Sequence, residues 1–381
     1  MVSSLSFFMS VFWSSVIILS VHFLRKKQFF LNGFGMSTVV QLYVFCIGRM
    51  LVVLEFPFTQ TMELPGIYNV FFKAFCLDEH AFGAVRFTLF DVFLILWGAV
   101  TAVLCAVYFM RYVRSVRSIR DVSFTADKEA EGLLSEIRAK YPSRMRVRVV
   151  RCAAVTVPMG IGLFDRCILL PTGTYSPEEI WHILLHEYIH FKNNDLWTKM
   201  LIELFCRLYW WNPLVYLLKA DVEQILELKC DLHATVDLNT LQRAAYLKTI
   251  TSCLQKSGAE SAQIASFSTK FFRLNNAGAE LIERFRLVAY PVSKNIRIFQ
   301  VLSIVCFSVL MIFSYMFILQ PGYMPEEETG VFYLENIRLS GYIVKHWDDR
   351  YTFYNDDGRL IPLNEETAEM LSENGFEVIE R

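Results

Sequence analysis

The sequence predicts an α-helical membrane protein with a mixed α+β domain between its third and fourth spans and a small α+β tail. The 381 residues are 54% hydrophobic and 15% aromatic, which is more apolar than an ordinary soluble protein. Four long apolar segments are bounded by basic clusters. Residues 120–296, between the last two segments, are long enough to bury a core of their own.

The four spans are predicted at residues 5–24, 36–56, 87–110 and 298–319. Basic residues follow the first span (residues 25–27) and the third (residues 111–120), so the positive-inside rule places both clusters in the cytoplasm. We therefore expect a multi-pass protein with both termini extracytoplasmic and an external loop at residues 57–86. The predicted parts are residues 1–119 with three spans, the cytoplasmic domain 120–296, the fourth span 297–319 and the external tail 320–381.

Two charged residues lie inside predicted spans. Arg49 and Asp91 each lie a few residues from the outer end of their span, and a charge at that depth is costly. Because their depths match, an interhelical ion pair is one interpretation. Snorkelling of both side chains to the outer interface is the other.

The cytoplasmic domain shows a helix pattern at residues 128–139 and strand patterns at 146–157 and 167–170. Residues 196–218 are almost apolar enough for another span. However, Lys199, Glu203 and Arg207 form a charged stripe at helical spacing, and Trp210-Trp211-Asn212-Pro213 then ends the helix. We expect this helix to lie on the membrane or dip into it rather than cross it.

A metal-binding pattern, His186-Glu187-Tyr188-Ile189-His190, lies on a predicted helix that begins with a capping box at residues 176–179. His186 and His190 are one turn apart on one face, so both imidazoles can reach one tetrahedral Zn²⁺. Glu187 lies beside them and can take a proton from the attacking water. The alternative is an amphipathic helix with two incidental histidines.

The third ligand is expected on the helix predicted at residues 221–237. Glu223, Glu227 and Asp231 share one face of it. A carboxylate as third ligand leaves the fourth position of the metal open, which marks a catalytic site. We assign Glu227 as the ligand and Asp231 as the residue that holds a ligand histidine by its other ring nitrogen. Glu223 is the alternative ligand.

Four further residues are weighed around this site. Asp195 either holds a ligand histidine from behind or only ends the zinc helix, and His182 is interpreted as structural or as a support for a ligand. An oxyanion donor is needed by analogy with such sites, and His233 and Tyr246 are the candidates.

The chain resembles the BlaR/MecR family of regulatory membrane metallopeptidases between about residues 149 and 286. The matching motifs are Val157-Pro158-x-Gly160, Ile168-Leu169-Leu170-Pro171, HEYIHFKNND, Tyr209-Trp210-Trp211-Asn212-Pro213, Glu227-x-x-Cys230-Asp231 and Glu283-Arg284. The resemblance implies a zincin-like (gluzincin) zinc endopeptidase in a bacterial cell membrane, facing the cytoplasm. It also implies that an external signal makes the enzyme cleave a cytoplasmic winged-helix repressor, with self-cleavage as a further reaction.

The tail departs from the β-lactam sensors of that family. Its serines, Ser340 and Ser372, are not followed by a lysine three residues on, so a penicillin-binding domain is not expected here. Residues 332–334 and 342–344 are predicted as strands, 356–358 as a turn and 364–373 as a helix. The tail is interpreted as a small sensor module or as a cap on the membrane domain.

Two other functions are kept beside the signalling peptidase: a housekeeping membrane metalloprotease, and a non-catalytic membrane receptor that binds zinc structurally. The expected partners are the repressor as substrate, membrane lipid and an external ligand or protein, and a homodimer is left open. The formal net charge of −1 gives no reason to expect direct nucleic-acid binding. Nine scattered cysteines suggest neither a disulfide framework nor a cysteine zinc site.

Overall fold

The structure is a computed structural model of the chain. It describes residues 4–25, 36–53, 59–64, 70, 72–82, 85–120, 126–153, 155–173, 175–256, 268–270, 277–289, 297–321, 341–346, 350–355, 360–373 and 376–380. Its α-helices are α1 (Ser4–Arg25), α2 (Met36–Leu51), α3 (Leu89–Arg120), α4 (Lys128–Lys140), α5 (Pro177–Lys192), α6 (Asp195–Leu208), α7 (Leu214–Thr235), α8 (Thr240–Lys256), α9 (Ala277–Ala289), α10 (Arg297–Met316) and α11 (Glu365–Glu373).

The strands are β1 (Gln60–Leu64), β2 (His80–Phe82), β3 (Val85–Phe87), β4 (Val147–Arg151), β5 (Met159–Ile161), β6 (Arg166–Leu170), β7 (Ser268–Lys270), β8 (Phe317–Pro321), β9 (Gly341–Lys345), β10 (Tyr351–Asn355), β11 (Leu360–Leu363) and β12 (Val378–Glu380). A short π-helix covers Lys73–Leu77. The chain divides into two compact units, Met1–Glu63 with Val70–Gln320, and Leu64–Asn69 with Pro321–Arg381.

Helices occupy all four segments that the sequence predicts as spans. Two of them, at Ser6–Arg25 and Leu89–Arg114, are long and apolar enough to cross a membrane, and Thr38–Leu51 is a shorter apolar helix. The helices in the second and fourth segments end before the predicted residues 56 and 319. Helix α2 ends at Leu51, and α10 ends at Met316, where the chain continues as strand β8 and forms a two-stranded sheet with β1.

The interpretation of Arg49 and Asp91 as an ion pair is wrong. The Asp91 carboxylate caps its own helix by accepting hydrogen bonds from Thr88 N and Oγ1, both at 2.9 Å. Arg49 donates instead to Ser314 Oγ at 3.2 Å, and its guanidinium lies 3.8 Å above the ring centre of Tyr315. Matching depths did not show which faces of the two helices meet, and Arg49 faces α10.

A four-stranded mixed sheet with the order β4-β6-β5-β7 supports the metal-binding helix. Strand β4 runs parallel to β6, while β5 is antiparallel to both β6 and β7. The predicted long strand at 146–157 is therefore wrong in its second half, because β4 ends at Arg151 and Met159–Ile161 forms a separate strand. The predicted helix at 128–139 and strand at 167–170 are confirmed as α4 and β6.

Helix α5 is buried between this sheet and α4, α7 and α8. Its residues Ile183, Leu184 and Tyr188 are fully buried in one core together with Ile168 of β6 and Leu134 of α4. The predicted capping box is present, since Ser176 Oγ accepts from Glu179 N at 3.2 Å and Glu179 Oε2 accepts from Ser176 N at 2.9 Å. A helix that is buried nearly all round cannot be repositioned without opening the core.

A second core joins α1 and α2 to α6 and α7. The predicted break between the last two helices is confirmed, because α6 ends at Leu208 and Asn212 Oδ1 accepts a hydrogen bond from Leu214 N at 3.0 Å where α7 begins. The break turns the chain so that α7, which carries the predicted third ligand, packs beside α5.

One carboxylate ties α7 to α1 and α2. Asp221 accepts a hydrogen bond from Arg25 Nε at 2.8 Å and from Tyr43 Oη at 2.5 Å, and it lies 2.8 Å from His22 Nδ1. Its side chain is only 2% exposed. Arg25 also reaches Glu283 of α9 at 3.5 Å. The first two apolar helices are thus held by polar contacts to the helix that carries Glu227.

The second unit contains a four-stranded sheet with the order β11-β10-β9-β12. Ile343 and Phe353 of the sheet pack against Ala368 and Leu371 of α11 and form its core. The predicted strand at 342–344 and helix at 364–373 are confirmed as β9 and α11. The predicted strand at 332–334 and turn at 356–358 lie outside the described residues.

We expect Asp221→Asn to destabilise the protein. The substitution leaves the Arg25 guanidinium with only its longer contact to Glu283, and breaking a buried ion pair costs roughly 3–5 kcal/mol. The thermal unfolding midpoint of the full chain in detergent measures the effect. Asp165→Asn is the matched control, because its pair with Arg148 is 68% and 67% exposed. Equal midpoints for the two variants would show that the Asp221 contacts do not hold α1 and α2 on α7.

Candidate metal centre

Three predicted ligands converge in the structure. His186, His190 and Glu227 are buried, and their ligand atoms all lie within 4.8 Å of one another. The two Nε2 atoms are 3.0 Å apart. Glu227 Oε2 lies 3.4 Å from His186 Nε2, and Glu227 Oε1 lies 3.6 Å from His190 Nε2. Two imidazoles one turn apart on α5 therefore face a carboxylate from α7.

This donor set fits a zinc ion. Two nitrogens and one carboxylate are the protein ligands of catalytic zinc sites that keep one position open. Glu227 Oε2 is buried with no hydrogen-bond partner, which is costly for a carboxylate oxygen unless a cation meets it. The described residues also form a second possible group, His190, Asp195 and Cys230, and the alternative ligand Glu223, one turn earlier on α7, lies outside both groups.

The outer nitrogen of His186 is held by a buried network. Its Nδ1 lies 3.0 Å from Tyr246 Oη and 3.3 Å from Asp231 Oδ1, and Tyr246 Oη donates to Asp231 Oδ1 at 2.6 Å. Arg284 of α9 donates twice to the same carboxylate, from Nε at 2.6 Å and from Nη2 at 2.8 Å. Burial alone would raise the pKa of Asp231, but Arg284 and His186 lower it to about 2.

The outer nitrogen of His190 has its own carboxylate. Asp195 Oδ2, at the start of α6, lies 2.7 Å from His190 Nδ1. Cys230 Sγ of α7 lies 3.1 Å from the same nitrogen and 3.4 Å from Asp195 Oδ2. A hydrogen bond at Nδ1 fixes the ring and leaves Nε2 as the nitrogen that faces the metal. Asp195 and Asp231 are therefore placed where the sequence interpretation put them, behind the histidines.

Glu187 is turned toward the sheet. The Gly160 amide of strand β5 donates a hydrogen bond to Glu187 Oε2 at 2.9 Å, and the glutamate is fully buried. Glu187 follows His186 directly on α5, and its carboxylate is not among the grouped ligand atoms. Its charge acts on Lys199, which contacts Glu227, so the carboxylate lies in the neighbourhood of the ligand group. A general base is needed near a metal in this way.

One cation lies in contact with the ligand group. Lys199 of α6 donates from Nζ to Glu227 Oε1 at 3.1 Å. Burial alone would raise the pKa of Glu227, but Lys199 and then His190 lower it well below the ordinary value. In turn, burial would lower the pKa of Lys199, but Glu227 raises it above the ordinary value, so the ammonium stays charged.

The two candidates for an oxyanion donor lie elsewhere. Tyr246 contacts Nδ1 of His186, behind the ligand and away from its metal-facing nitrogen, which is not where an oxyanion donor is needed. His233 is exposed and takes part in none of the described contacts of the site. His182 is buried with Nδ1 at 3.0 Å from Thr249 Oγ1, in agreement with its structural interpretation.

Sequence reasoning gives Arg284, Cys230, Gly160 and Lys199 no role at this site. The family motifs contain Arg284, Cys230 and Gly160, but a motif does not show which residue a side chain contacts. Lys199 is assigned only to the charged stripe of residues 196–218. Lys199 lies one helical turn after Asp195, on the same face of the helix. If Asp195 contacts His190, helical spacing therefore predicts that Lys199 lies close to the site.

Comparisons with known proteins show the family to which the chain belongs. A family model described as BlaR1 peptidase M56 matches residues 79–288, more than half of the chain. The chain is 25% identical over 272 residues to a protein called methicillin resistance mecR1 protein from Staphylococcus aureus, and equally to one from Staphylococcus epidermidis. Each match covers 69% of this chain and 45% of the relative. A regulatory protein BlaR1 from Bacillus licheniformis is 25% identical over 160 residues, which cover 42% of this chain and 26% of the relative. The matches thus span less than half the length of these curated relatives.

We expect Glu227→Ala to lose zinc, because it removes the only carboxylate in the three-residue ligand group. Glu223→Ala, one turn earlier on the same helix, is the matched control and should retain zinc. Asp231→Asn should fall between them, with affinity reduced roughly 10–100-fold, because it weakens the support of His186. Zinc affinity of the purified full chain, measured by chelator competition, checks all three. If Glu223→Ala lost zinc and Glu227→Ala retained it, the third ligand would be Glu223, one turn earlier on the helix, and the assignment of Glu227 would be wrong.

Proposed function

Because the chain belongs to the BlaR1 peptidase M56 family, we propose that it is an integral-membrane zinc endopeptidase that transmits an external signal by cleaving a cytoplasmic protein. The observation that carries the proposal is the buried group of His186, His190 and Glu227 with Glu187 beside it. A structural zinc site has no use for that glutamate, since a closed coordination shell leaves nothing for a base to act on.

The proposed topology follows the predicted parts of the chain. Residues 1–119 and 297–319 provide four spans with both termini extracytoplasmic, and residues 120–296 form a zincin-like peptidase domain in the cytoplasm. Two helices with the length and apolar character of spans support this arrangement, as does the basic end of α3 at residues 111–120. Residues 320–381 are proposed as an external module.

The reaction that we propose is hydrolysis of a peptide bond. When bound by His186, His190 and Glu227, zinc supplies a Lewis acid that polarises the scissile carbonyl and acidifies water. Glu187, oriented by the Gly160 amide, takes a proton from the attacking water and gives it to the leaving amine as the C–N bond breaks. Asp231 and Asp195 hold the two imidazoles in the tautomer that leaves each Nε2 free for the metal.

We propose a winged-helix transcriptional repressor as the substrate and an external ligand or protein as the signal. The names of the relatives, a regulatory protein and a methicillin resistance protein, support a regulatory role. The external side can influence the site only by favouring one arrangement of the helices over another. The contacts of Asp221 with α1 and α2 support such a path, because the same helix carries Glu227.

Self-cleavage is included in this proposal. Strand β7 pairs antiparallel with β5, and Thr269 lies opposite Gly160, whose amide contacts Glu187. A segment of the chain itself therefore lies extended along the strand next to the general base. Extended pairing with an exposed strand is a common mode of peptide recognition.

We expect Glu187→Gln to retain zinc and fold but to lose cleavage, because the amide keeps the shape of the side chain and cannot carry the proton. The measurement is zinc content together with gel analysis of the purified full chain, incubated alone and with a winged-helix repressor as candidate substrate. Glu178→Gln, an exposed glutamate in the first turn of the same helix, is the control and should cleave normally. Cleavage by Glu187→Gln at the rate of the unmodified protein would exclude the proposed mechanism.

A further inference from the structure

A charged side chain next to the ligand group has no role in the reaction described above. We propose that Lys199 is a further catalytic residue, whose ammonium group binds the oxygen of the scissile carbonyl and stabilises the negative charge that develops on it. This inference rests on the proposed peptidase function, and it supplies the donor that neither His233 nor Tyr246 provides.

Lys199 is held by the ligand group itself. Its Nζ atom lies 3.1 Å from Glu227 Oε1, which in turn lies 3.6 Å from His190 Nε2. The lysine side chain is 16% exposed and therefore keeps a path to solvent. An ammonium group has three donors, of which Glu227 uses one. The others are available to an oxygen that approaches the same point.

The other sides of the ligand group are occupied. Tyr246 and Asp231 lie behind His186, and Asp195 and Cys230 lie behind His190. Because the four side chains contact the Nδ1 atoms, they lie on the far side of each ring from its Nε2. Lys199 contacts the ligand group at a different kind of atom. Its Nζ donates to Glu227 Oε1, an atom that faces the proposed metal position. Among the described residues, it is the cation that makes such a contact.

An apolar cavity leads to Lys199. It has a volume of about 330 Å³ and lies between α3, the residues that follow β5, and the first turns of α6. Its described lining residues are Tyr108, Phe109, Tyr112, Gly162, Leu163, Phe164, Leu196, Trp197, Lys199 and Met200. Lys199 is the one charged group among them. Lys199 therefore lines the cavity and also contacts Glu227 of the ligand group.

The surroundings make this charge effective. A cation enclosed by aromatic and aliphatic groups acts through a lower effective dielectric than one in water, so its attraction for a developing oxyanion is stronger. The lysine acts as a hydrogen-bond donor: it donates while the carbonyl carbon is tetrahedral, and the contact weakens when the C–N bond breaks and the carbonyl re-forms. Removing one such donor typically lowers kcat roughly 10²–10³-fold.

The test uses the full chain loaded with Co²⁺, whose visible absorption reports ligand binding, titrated with benzylphosphonate as an anion that mimics the tetrahedral oxygens. We expect Lys199→Met to retain the metal and to bind benzylphosphonate roughly 10–100-fold more weakly, since a charged hydrogen bond is lost. Lys199→Arg should recover part of the affinity. Lys199→Gln, which can still donate to Glu227, replaces the methionine variant if that variant does not fold.

Lys219→Met is the matched control. Lys219 also joins α6 and α7 through a buried pair, with Glu203, and its side chain is 21% exposed, but it does not line the cavity. It should bind benzylphosphonate as the unmodified protein does. Equal affinity for all variants, or loss of the metal from the neutral Lys199 variants, would overturn the inference, because the lysine would then have no role or would act only through Glu227.

A cleavage assay separates this inference from the proposed function. Where the unmodified protein cleaves, Lys199→Met should lower kcat with little change in KM, whereas unchanged kcat would overturn the role of Lys199 alone. If the zinc-loaded unmodified protein cleaved neither β-casein nor a winged-helix repressor, the peptidase function itself would be overturned, and this inference with it.

Discussion

The geometry of the proposed metal centre depends on two buried carboxylates that lie behind the histidines rather than on the histidines alone. Imidazole has two nitrogens, and which of them faces a metal is decided by the hydrogen bond that the other makes. Asp231 and Asp195 each contact an Nδ1 atom, so both Nε2 atoms are directed toward Glu227. Asp231 is in turn held by two hydrogen bonds from Arg284, so a helix distant in the chain fixes the orientation of His186.

Helix α7 links this arrangement to the apolar helices. It carries Asp221 near its start, Glu227 in its middle and Asp231 one turn later. A movement of α1 or α2 that shifts Asp221 must therefore move Glu227, unless the helix bends or the contacts of Asp221 break. Breaking them leaves Arg25 with only its longer contact to Glu283, which is costly for a buried guanidinium. Helix α7 thus connects two of the proposed spans directly to the proposed metal ligand Glu227.

Local spacing was sufficient to predict which side chains converge as candidate ligands, and it was insufficient to predict the residues that contact them. His186, Glu187 and His190 follow from one helical turn, and Glu227 and Asp231 from another, because helical geometry fixes which side chains share a face. The contact of Gly160 with Glu187 and that of Arg284 with Asp231 join residues 27 and 53 positions apart, so they depend on tertiary packing. Lys199 was interpreted as part of a charged stripe on a surface helix. Its side chain instead points inward, because α6 packs against α7 on that face and Glu227 lies there to meet it.

The formal charges around the site give an independent reason to expect a divalent cation. Four carboxylates, Glu187, Asp195, Glu227 and Asp231, are buried within a few contacts of one another, and two cations, Lys199 and Arg284, are in direct contact with them. With neutral imidazoles, two negative charges remain without compensation in a region of low dielectric, which is unfavourable. A zinc ion balances both of them. In this sum of formal charges, the ammonium of Lys199 is needed to make the zinc-loaded site neutral. Without it, the loaded site would carry a net negative charge, which would repel the oxyanion that the reaction must form.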